Sequence, residues 1–337
     1  MMPSSSSAGG FLLRATAFYA FLILTWYVAK SLAHDDHWLL WILNSNAKYL
    51  FLPAFVLALF SALRRNWRSL ALLSVPAAIF GLLYGELFLP RYPRATTPEG
   101  LSLRVMSFNV LITNTNYDAL TETILSQHAD LVGLQEMVPA NSSAIEPTLT
   151  SEMYTYHTPL PVEHRLDVAL FSRYPIISSE KLNLPWNDLS RHVVVDINGL
   201  EVHVLVLHLV PTLMAEVPVS AWPERASERE HIRMDQIDRV LSALPDADVP
   251  ALVLCDCNFT ETTAAYARFA DRLQDAFREA GWGLGHGVHP VGISISFSRI
   301  DYVWYSQHFV AKAATVASGG MSDHSPLVVD LELLADH

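Results

Sequence analysis

Residues Leu252-Val-Leu-Cys-Asp-Cys-Asn-Phe259 form an apolar run that abruptly presents Asp256 and Asn258. Side chains alternate along a strand, so a carboxylate and a carboxamide two residues apart point toward one site at a sheet edge. Downstream, Arg299-Ile-Asp-Tyr-Val303 and Ser322-Asp-His-Ser-Pro326 add Asp301, Asp323 and His324. Upstream, Asn109, Glu136 and His208 each stand at or just beyond the end of an apolar stretch. Carboxylate and carbonyl oxygens suit a hard divalent cation such as Mg2+. An imidazole near a carboxylate suits proton transfer. These residue types together point to metal-assisted attack of water on a phosphate ester.

The elements that must position them are short apolar runs. Strands are expected at Leu101–Leu111, Ala129–Glu136, Asp167–Phe171, His192–Ile197, Glu201–Leu209, Ala251–Cys257, Asp301–Tyr305 and Leu327–Leu333. Apolar residues at helical spacing predict helices over Tyr117–His128, Glu224–Leu244 and Thr262–Ala280. Strands interspersed with a few helices imply layered α/β packing. No glycine-rich phosphate loop is present. Gly281–Gly292 reads as a loop on the active-site side, and Leu209–Pro223 as an apolar lid that either packs on the protein or meets a membrane. Cys255 and Cys257 are the only cysteines. Alternation puts both on the face opposite Asp256, which predicts buried packing thiols, since a bridge between them would distort the strand.

Three apolar segments, Phe11–Ala29, Ala47–Leu63 and Ser69–Leu89, precede all of this. A membrane span needs about twenty mainly apolar residues, and the second segment reaches only the short end of that range. The expected organisation is a membrane anchor over residues 1–90, a Pro/Gly-containing tether over 91–100 and a catalytic domain over 101–337. Arg64, Arg65 and Arg68 lie between the second and third segments, and positively charged loops stay in the cytoplasm. The chain is therefore expected to be a multi-pass protein of a bacterial cytoplasmic membrane with an extracytoplasmic catalytic domain. Of the formal net charge of -12, residues 1–100 contribute +4 and residues 101–337 contribute -16. That acidity disfavours long-range attraction to a nucleic-acid backbone.

Several motifs together resemble the endonuclease/exonuclease/phosphatase (DNase I-like) superfamily over about residues 101–335. Ser107-Phe-Asn-Val110 is similar to the family's first motif, which implies that Asn109 orients a metal ligand or joins the metal and phosphate site. Leu134-Gln-Glu136 resembles the second and implies Glu136 as a ligand of Mg2+ or Mn2+. Val206-Leu-His-Leu209 looks like the segment that supplies a catalytic histidine, His208. Cys255-Asp-Cys-Asn-Phe259 corresponds to the usual Gly-Asp-Phe-Asn element, with Asp256 and Asn258 kept as metal-side and catalytic groups and the flanking Gly and Phe replaced by Cys. Ile300-Asp-Tyr302 and Ser322-Asp-His-Ser-Pro326 complete the set. They imply Asp301 as the carboxylate that orients a histidine, Asp323 as a metal-side group and His324 as general base. The fold implied is a four-layer α/β sandwich of two packed, mainly antiparallel sheets, here preceded by transmembrane helices. Phe171-Ser-Arg-Tyr-Pro-Ile176 also resembles a family segment, so Arg173 is a candidate substrate contact. His157, His164 and Arg165 are further candidates at the entrance.

The membrane-anchored layout resembles lipid-phosphate hydrolases linked to glycopeptide resistance. That implies hydrolysis of a phosphodiester or pyrophosphate bond in a membrane lipid or lipid-linked intermediate, with the bilayer as partner and no obligate protein partner evident. An extracytoplasmic DNase I-like endonuclease acting on nucleic acid is one alternative. A non-catalytic module that binds phospholipid headgroups is another.

Overall fold

The computed structural model describes residues 5–89, 100–162, 165–186, 189–212, 216–289 and 295–334. The chain divides into two compact units.

The first unit is helical: α1 (Ser5–Ala33), α2 (Trp38–Ser45), a 3-10 turn (Ala47–Phe51), α3 (Leu52–Leu63), α4 (Trp67–Leu72), α5 (Ser74–Tyr84) and a 3-10 turn (Gly85–Phe88). Gly9–Ala33 and Trp67–Phe88 are each long and apolar enough to cross a membrane. The expected middle span is different. Trp38–Ser45 and Ala47–Leu63 form a pair bent by 76°, which makes a third span only if the pair counts as one. Asn44 explains the break. It is fully buried and accepts from Trp26 Nε1 at 2.9 Å, while its own amide donates to His34 O and Asp35 Oδ1. A polar side chain in that position ties α2 to the turn after α1 instead of letting the helix run on. Residues 216–227 and Thr260–Ala264 belong to this unit as well. Thr260 and Thr262 donate to the carbonyls of Ser45 and Asn44, and Ala264 N donates to Asp35 Oδ2.

The second unit is built on twelve strands among the described residues. The first half of the chain here supplies β1 (Leu101–Asn109), α6 (Tyr117–Ser126), β2 (Leu131–Met137), α7 (Pro139–Glu152), β3 (Tyr156–His157) and β4 (Asp167–Ser172). Then come β5 (Ile176–Lys181), β6 (Ser190–Ile197), β7 (Leu200–His208), α8 (Trp222–Ala243) and β8 (Ala251–Asp256). The last part is α9 (Ala264–Ala270), β9 (Gln274–Asp275), α10 (Ala276–Ala280), β10 (Asp301–Tyr305), β11 (Phe309–Val316) and β12 (Leu327–Leu333). They form two six-stranded sheets, ordered β11-β12-β1-β2-β4-β3 and β5-β6-β7-β8-β10-β9. Each sheet is mostly antiparallel around one parallel pair, β1 with β2 and β7 with β8.

Alternation assigns the faces. Leu103 and Val105 of β1, Val204 and Val206 of β7, and Leu252 and Leu254 of β8 pack between the sheets. Met106 and Phe108 face outward with Leu120, Ile124 and Ile145 of α6 and α7. Leu205, Leu207, Cys255 and Trp304 face the other way, with Ile237 and Val240 of α8 and Phe269 of α9. The expected layered sandwich is therefore the fold. At Gly133 the sheets approach so closely that a Cβ would lie 2.8 Å from Leu254 Cβ.

The predicted helix over Thr262–Ala280 is broken in two. Gln274 and Asp275 pair with β10, and Asp275 Oδ1 accepts from Phe277 N and Arg278 N to start α10 afresh. Elements that the sequence reading passed over are α7, β3, β5 and β11.

Candidate functional site

Four parallel strand ends emerge at one edge of the sandwich, two from each sheet. β1 ends in Asn109, β2 reaches Glu136 near its end, and β7 and β8 end side by side in His208 and Asp256, which are register partners. Asp301 opens β10 directly opposite Asp256, and His324 precedes β12, which pairs antiparallel with β1. Asn109, His208 and Asp256 continue the inward-facing rows of their strands. Glu136 would face outward by alternation, but its φ of 60° turns the chain over and re-aims the carboxylate. Asn258 (φ 52°) and Leu111 (φ 64°) take the same left-handed conformation beside it. Such backbone costs of order 1–3 kcal/mol each where the side chain is not glycine, and it persists where surrounding structure over-determines it.

The geometry is tight. Asn109 Nδ2 donates to Glu136 Oε1 at 3.0 Å and to Asp256 Oδ2 at 2.8 Å. Ile112 N donates to Glu136 Oε2 at 2.8 Å, and Asn258 N to Asp256 Oδ1 at 3.3 Å. His208 Nε2 lies 3.6 Å from Asp256 Oδ2 and 3.8 Å from Glu136 Oε1. Across the site, Asp301 holds His324 through Nδ1 at 2.8 Å, while His324 Nε2 lies 3.9 Å from Asp256 Oδ2. Two sets of potential ligand atoms lie within 4.8 Å of one another: Glu136, His208 and Asp256, and then Asp256, Asp301 and His324. Asp256 belongs to both.

Electrostatics show what such a centre calls for. Burial works against a charge on His324, yet the carboxylates of Asp301, Asp256 and Asp323 outweigh it and push the imidazole pKa up to about 10. Asp301 is raised to about 6, first by burial and against the pull of His324. The carboxylate cluster thus draws a proton onto the imidazole. Glu136 and Asp256 share one buried amide donor and stand close together, an arrangement that calls for positive charge between them. Two such clusters fit a divalent cation by the chemistry of their donors.

The sequence profile of the Endonuclease/Exonuclease/phosphatase family matches residues 106–324. The chain belongs to this family. Several solved structures share the fold. An endonuclease/exonuclease/phosphatase from Beutenbergia cavernae is 24% identical, with 69% of this chain and 72% of that chain covered and a TM-score of 0.54. One from Bacteroides vulgatus is 17% identical over 69% of this chain and 99% of that chain, with a TM-score of 0.57. The human Nocturnin catalytic domain with bound sulfate is 21% identical over 71% of this chain and 100% of that chain, with a TM-score of 0.51. No curated protein matches the chain. A metal-dependent phosphohydrolase is what the family fold and the two clusters support.

Not every expected residue joins the endonuclease/exonuclease/phosphatase site. Asn109 tethers the two carboxylates through its amide nitrogen, while its Oδ1 accepts from Leu111 N and keeps a second lone pair. Asn258 Nδ2 donates to Leu209 O. Asp323 stands outside both clusters; its Oδ1 is buried with no hydrogen-bond partner among the described residues, and its charge reaches His324. Arg173 lies at the far end of the sandwich, where Ser172 pairs with Leu131, and binds Asp130 at 3.0 Å. His157 packs on Phe171, 3.7 Å from Glu146 of α7. Arg165 is exposed just before β4, and His164 lies outside the described residues.

Two supports were missed in the sequence. Ser322 Oγ donates to Asn109 O at 2.7 Å and accepts from His324 N, which fastens the histidine loop to β1. Its place in Ser-Asp-His was the available signal. The Ile112 N–H had none. The cysteine expectation needs correcting: Cys255 and Cys257 are buried as predicted, but their sulfurs are bonded. β8 stops at Asp256, and the bend beyond it brings the two Cα atoms to 5.1 Å, inside the usual disulfide range, without breaking the ladder.

Proposed function

We propose that the twelve-stranded unit hydrolyses a phosphodiester or pyrophosphate bond of a membrane lipid or lipid-linked intermediate, using Mg2+ or Mn2+, at the outer face of the membrane. The observation that carries the chemistry is the Glu136–Asp256 pair facing the Asp301–His324 pair across one strand edge. Glu136 and Asp256 would hold the divalent cation, which would supply positive charge to a phosphoryl oxygen and offset the field that keeps His324 protonated. Asp301 fixes the tautomer of His324 through Nδ1, so Nε2 faces the site and takes a proton from the attacking water. His208 Nε2 contacts a phosphate oxygen or the leaving group from the opposite side. Asn109 keeps the two carboxylates at a fixed spacing, and Asn258 orients the loop after β8.

The lipid reading is supported by what the site loops lack. Residues 109–117, 136–141, 208–212, 256–263 and 317–326 contain no Lys or Arg. A polyanion is held mainly by such groups. The two long apolar helices add local concentration of lipid substrate. Orientation follows from the arginines before the last apolar helix: with Arg64, Arg65 and Arg68 inside, Trp67–Phe88 exits and the chain after it lies outside. That holds whether or not the bent pair crosses.

The second reading is a phosphodiester in a nucleic acid, and the family likeness by itself favours it. Mg2+-dependent turnover of nicked DNA, of phospholipid in mixed micelles and of polyprenyl pyrophosphate separates the two. Lipid turnover with inert DNA is expected. Cleavage of DNA alone overturns the lipid reading, and metal-dependent binding of headgroups without turnover of any substrate overturns the enzyme.

A further inference from the structure

β6 and β7 form a hairpin closed by Asn198-Gly199, with φ of 57° and 91°. Positive φ at both central residues is the two-residue turn whose twist suits flanking strands. Its pairing runs without a bulge from Ile197 with Leu200 to Ser190 with Leu207. In that register His192 stands opposite Leu205 and His203 opposite Val194, so the two histidines are diagonal neighbours on one face. The right-handed twist of paired strands shortens one diagonal. Here it brings His192 Nε2 to 2.8 Å from His203 Nδ1. This is the outer face: His203 is five residues from His208 on the same strand and faces the opposite way.

Carboxylates flank the pair. Glu180 of the edge strand β5 stands directly opposite His192, and Glu201 sits two residues before His203 on the same face. Both carboxylates are exposed, and both imidazoles are half-buried. Burial lowers the basicity of each ring, and for His192 the neighbouring ring lowers it further, against the pull of Glu180. Both shifts favour the neutral imidazole, the form that binds a metal.

We infer that His192, His203 and Glu180 form a transition-metal site, of the Zn2+ type, on the outer face of the second sheet and separate from the catalytic edge. Two imidazole nitrogens and a carboxylate oxygen, with water completing a tetrahedron, is a donor set that suits Zn2+. Zn–N bonds of about 2.0–2.1 Å at a tetrahedral angle need nitrogens about 3.3 Å apart. The imidazole pair has only to open slightly from its present contact, and the exposed Glu180 side chain has to swing in from outside the 4.8 Å within which three ligand atoms would already meet. The hydrogen now shared between the rings moves to the other nitrogen of its own ring, so no charge is lost. A bound ion would fasten the edge strand β5 to the hairpin.

The test is Zn2+ titration calorimetry on the full chain in detergent with excess Mg2+, together with the visible spectrum of Co2+ as a tetrahedral probe. The wild type is expected to bind one Zn2+ more than His192→Gln/His203→Gln, and Asp256→Asn is expected to keep that site. Outer-shell partners of metal ligands are themselves worth about 10–100-fold in affinity, so losing either imidazole is expected to weaken binding at least tenfold. Glu180→Gln, on an exposed edge, leaves folding intact and is expected to weaken Zn2+ binding and change the Co2+ band. Equal Zn2+ binding by wild type, Glu180→Gln and the double variant overturns the inference, as does loss of all Zn2+ binding in Asp256→Asn.

Discussion

At the scale of single residues, the same oxygens do two things. Asp256 belongs to both ligand clusters and also raises the proton affinity of His324. His324→Ala is therefore expected to lower turnover by about 10²–10⁴-fold, the usual worth of a proton-transfer group, with Mn2+ affinity nearly unchanged. Asp301→Asn is expected to lower turnover as well, by freeing the ring that it orients. Turnover and Mn2+ titration on the same preparations check both. The protonation has a consequence for stability. In chelator-treated protein the folded pKa of His324 is about 10, above the ordinary 6.5. Its contribution is fully present below pH 6.5 and is lost as pH rises through about 10. The Tm advantage of wild type over His324→Gln in chelator is expected to shrink across that window. Most of the residues that meet at this edge were legible in the sequence, because carboxylate, carboxamide and imidazole groups stand out by type at strand ends. What was hidden is backbone: the Ile112 N–H that fixes Glu136, and the left-handed turn that aims it.

Elements were legible where burial was one-sided or complete. β8 and the inward row of β7 are apolar up to their last residues and ended up where alternation predicts. β5 is a half-exposed edge strand with an irregular register against β6, so it offers no clean alternation. α7 includes Pro147, a residue that argues against helix in any local reading. The break between α9 and α10 comes from pairing of Gln274 and Asp275 with β10, a contact that no helical periodicity reveals. The approach of the two sheets sets a further limit. Gly133→Ala puts a methyl group 2.8 Å from Leu254 Cβ and 3.3 Å from Val206 Cγ1. Overpacking of this kind typically costs about 1–3 kcal/mol. A lower Tm is expected; an unchanged Tm would show that the sheets separate freely.

At the scale of the whole molecule, charge and hydropathy are segregated along the chain. The basic, apolar part precedes residue 100 and the acidic part follows it. That division was readable from composition, whereas the 76° bend that leaves two long apolar helices and one broken pair was not. The bond between Cys255 and Cys257 closes a ring of only three residues, too short to restrict an unfolded chain by much. Its value is as a record of where the chain has been. Thiols in a bacterial cytosol are kept reduced, and such bonds persist in the periplasm or outside the cell. If the acidic part is exported, as proposed, the bond would be a chemical timestamp next to Asp256. When the protein is extracted from membranes under acid quench, denatured and exposed to a maleimide, no label is expected until a reductant is added. Two labels per chain without reductant would place the strand-edge groups on the cytosolic side.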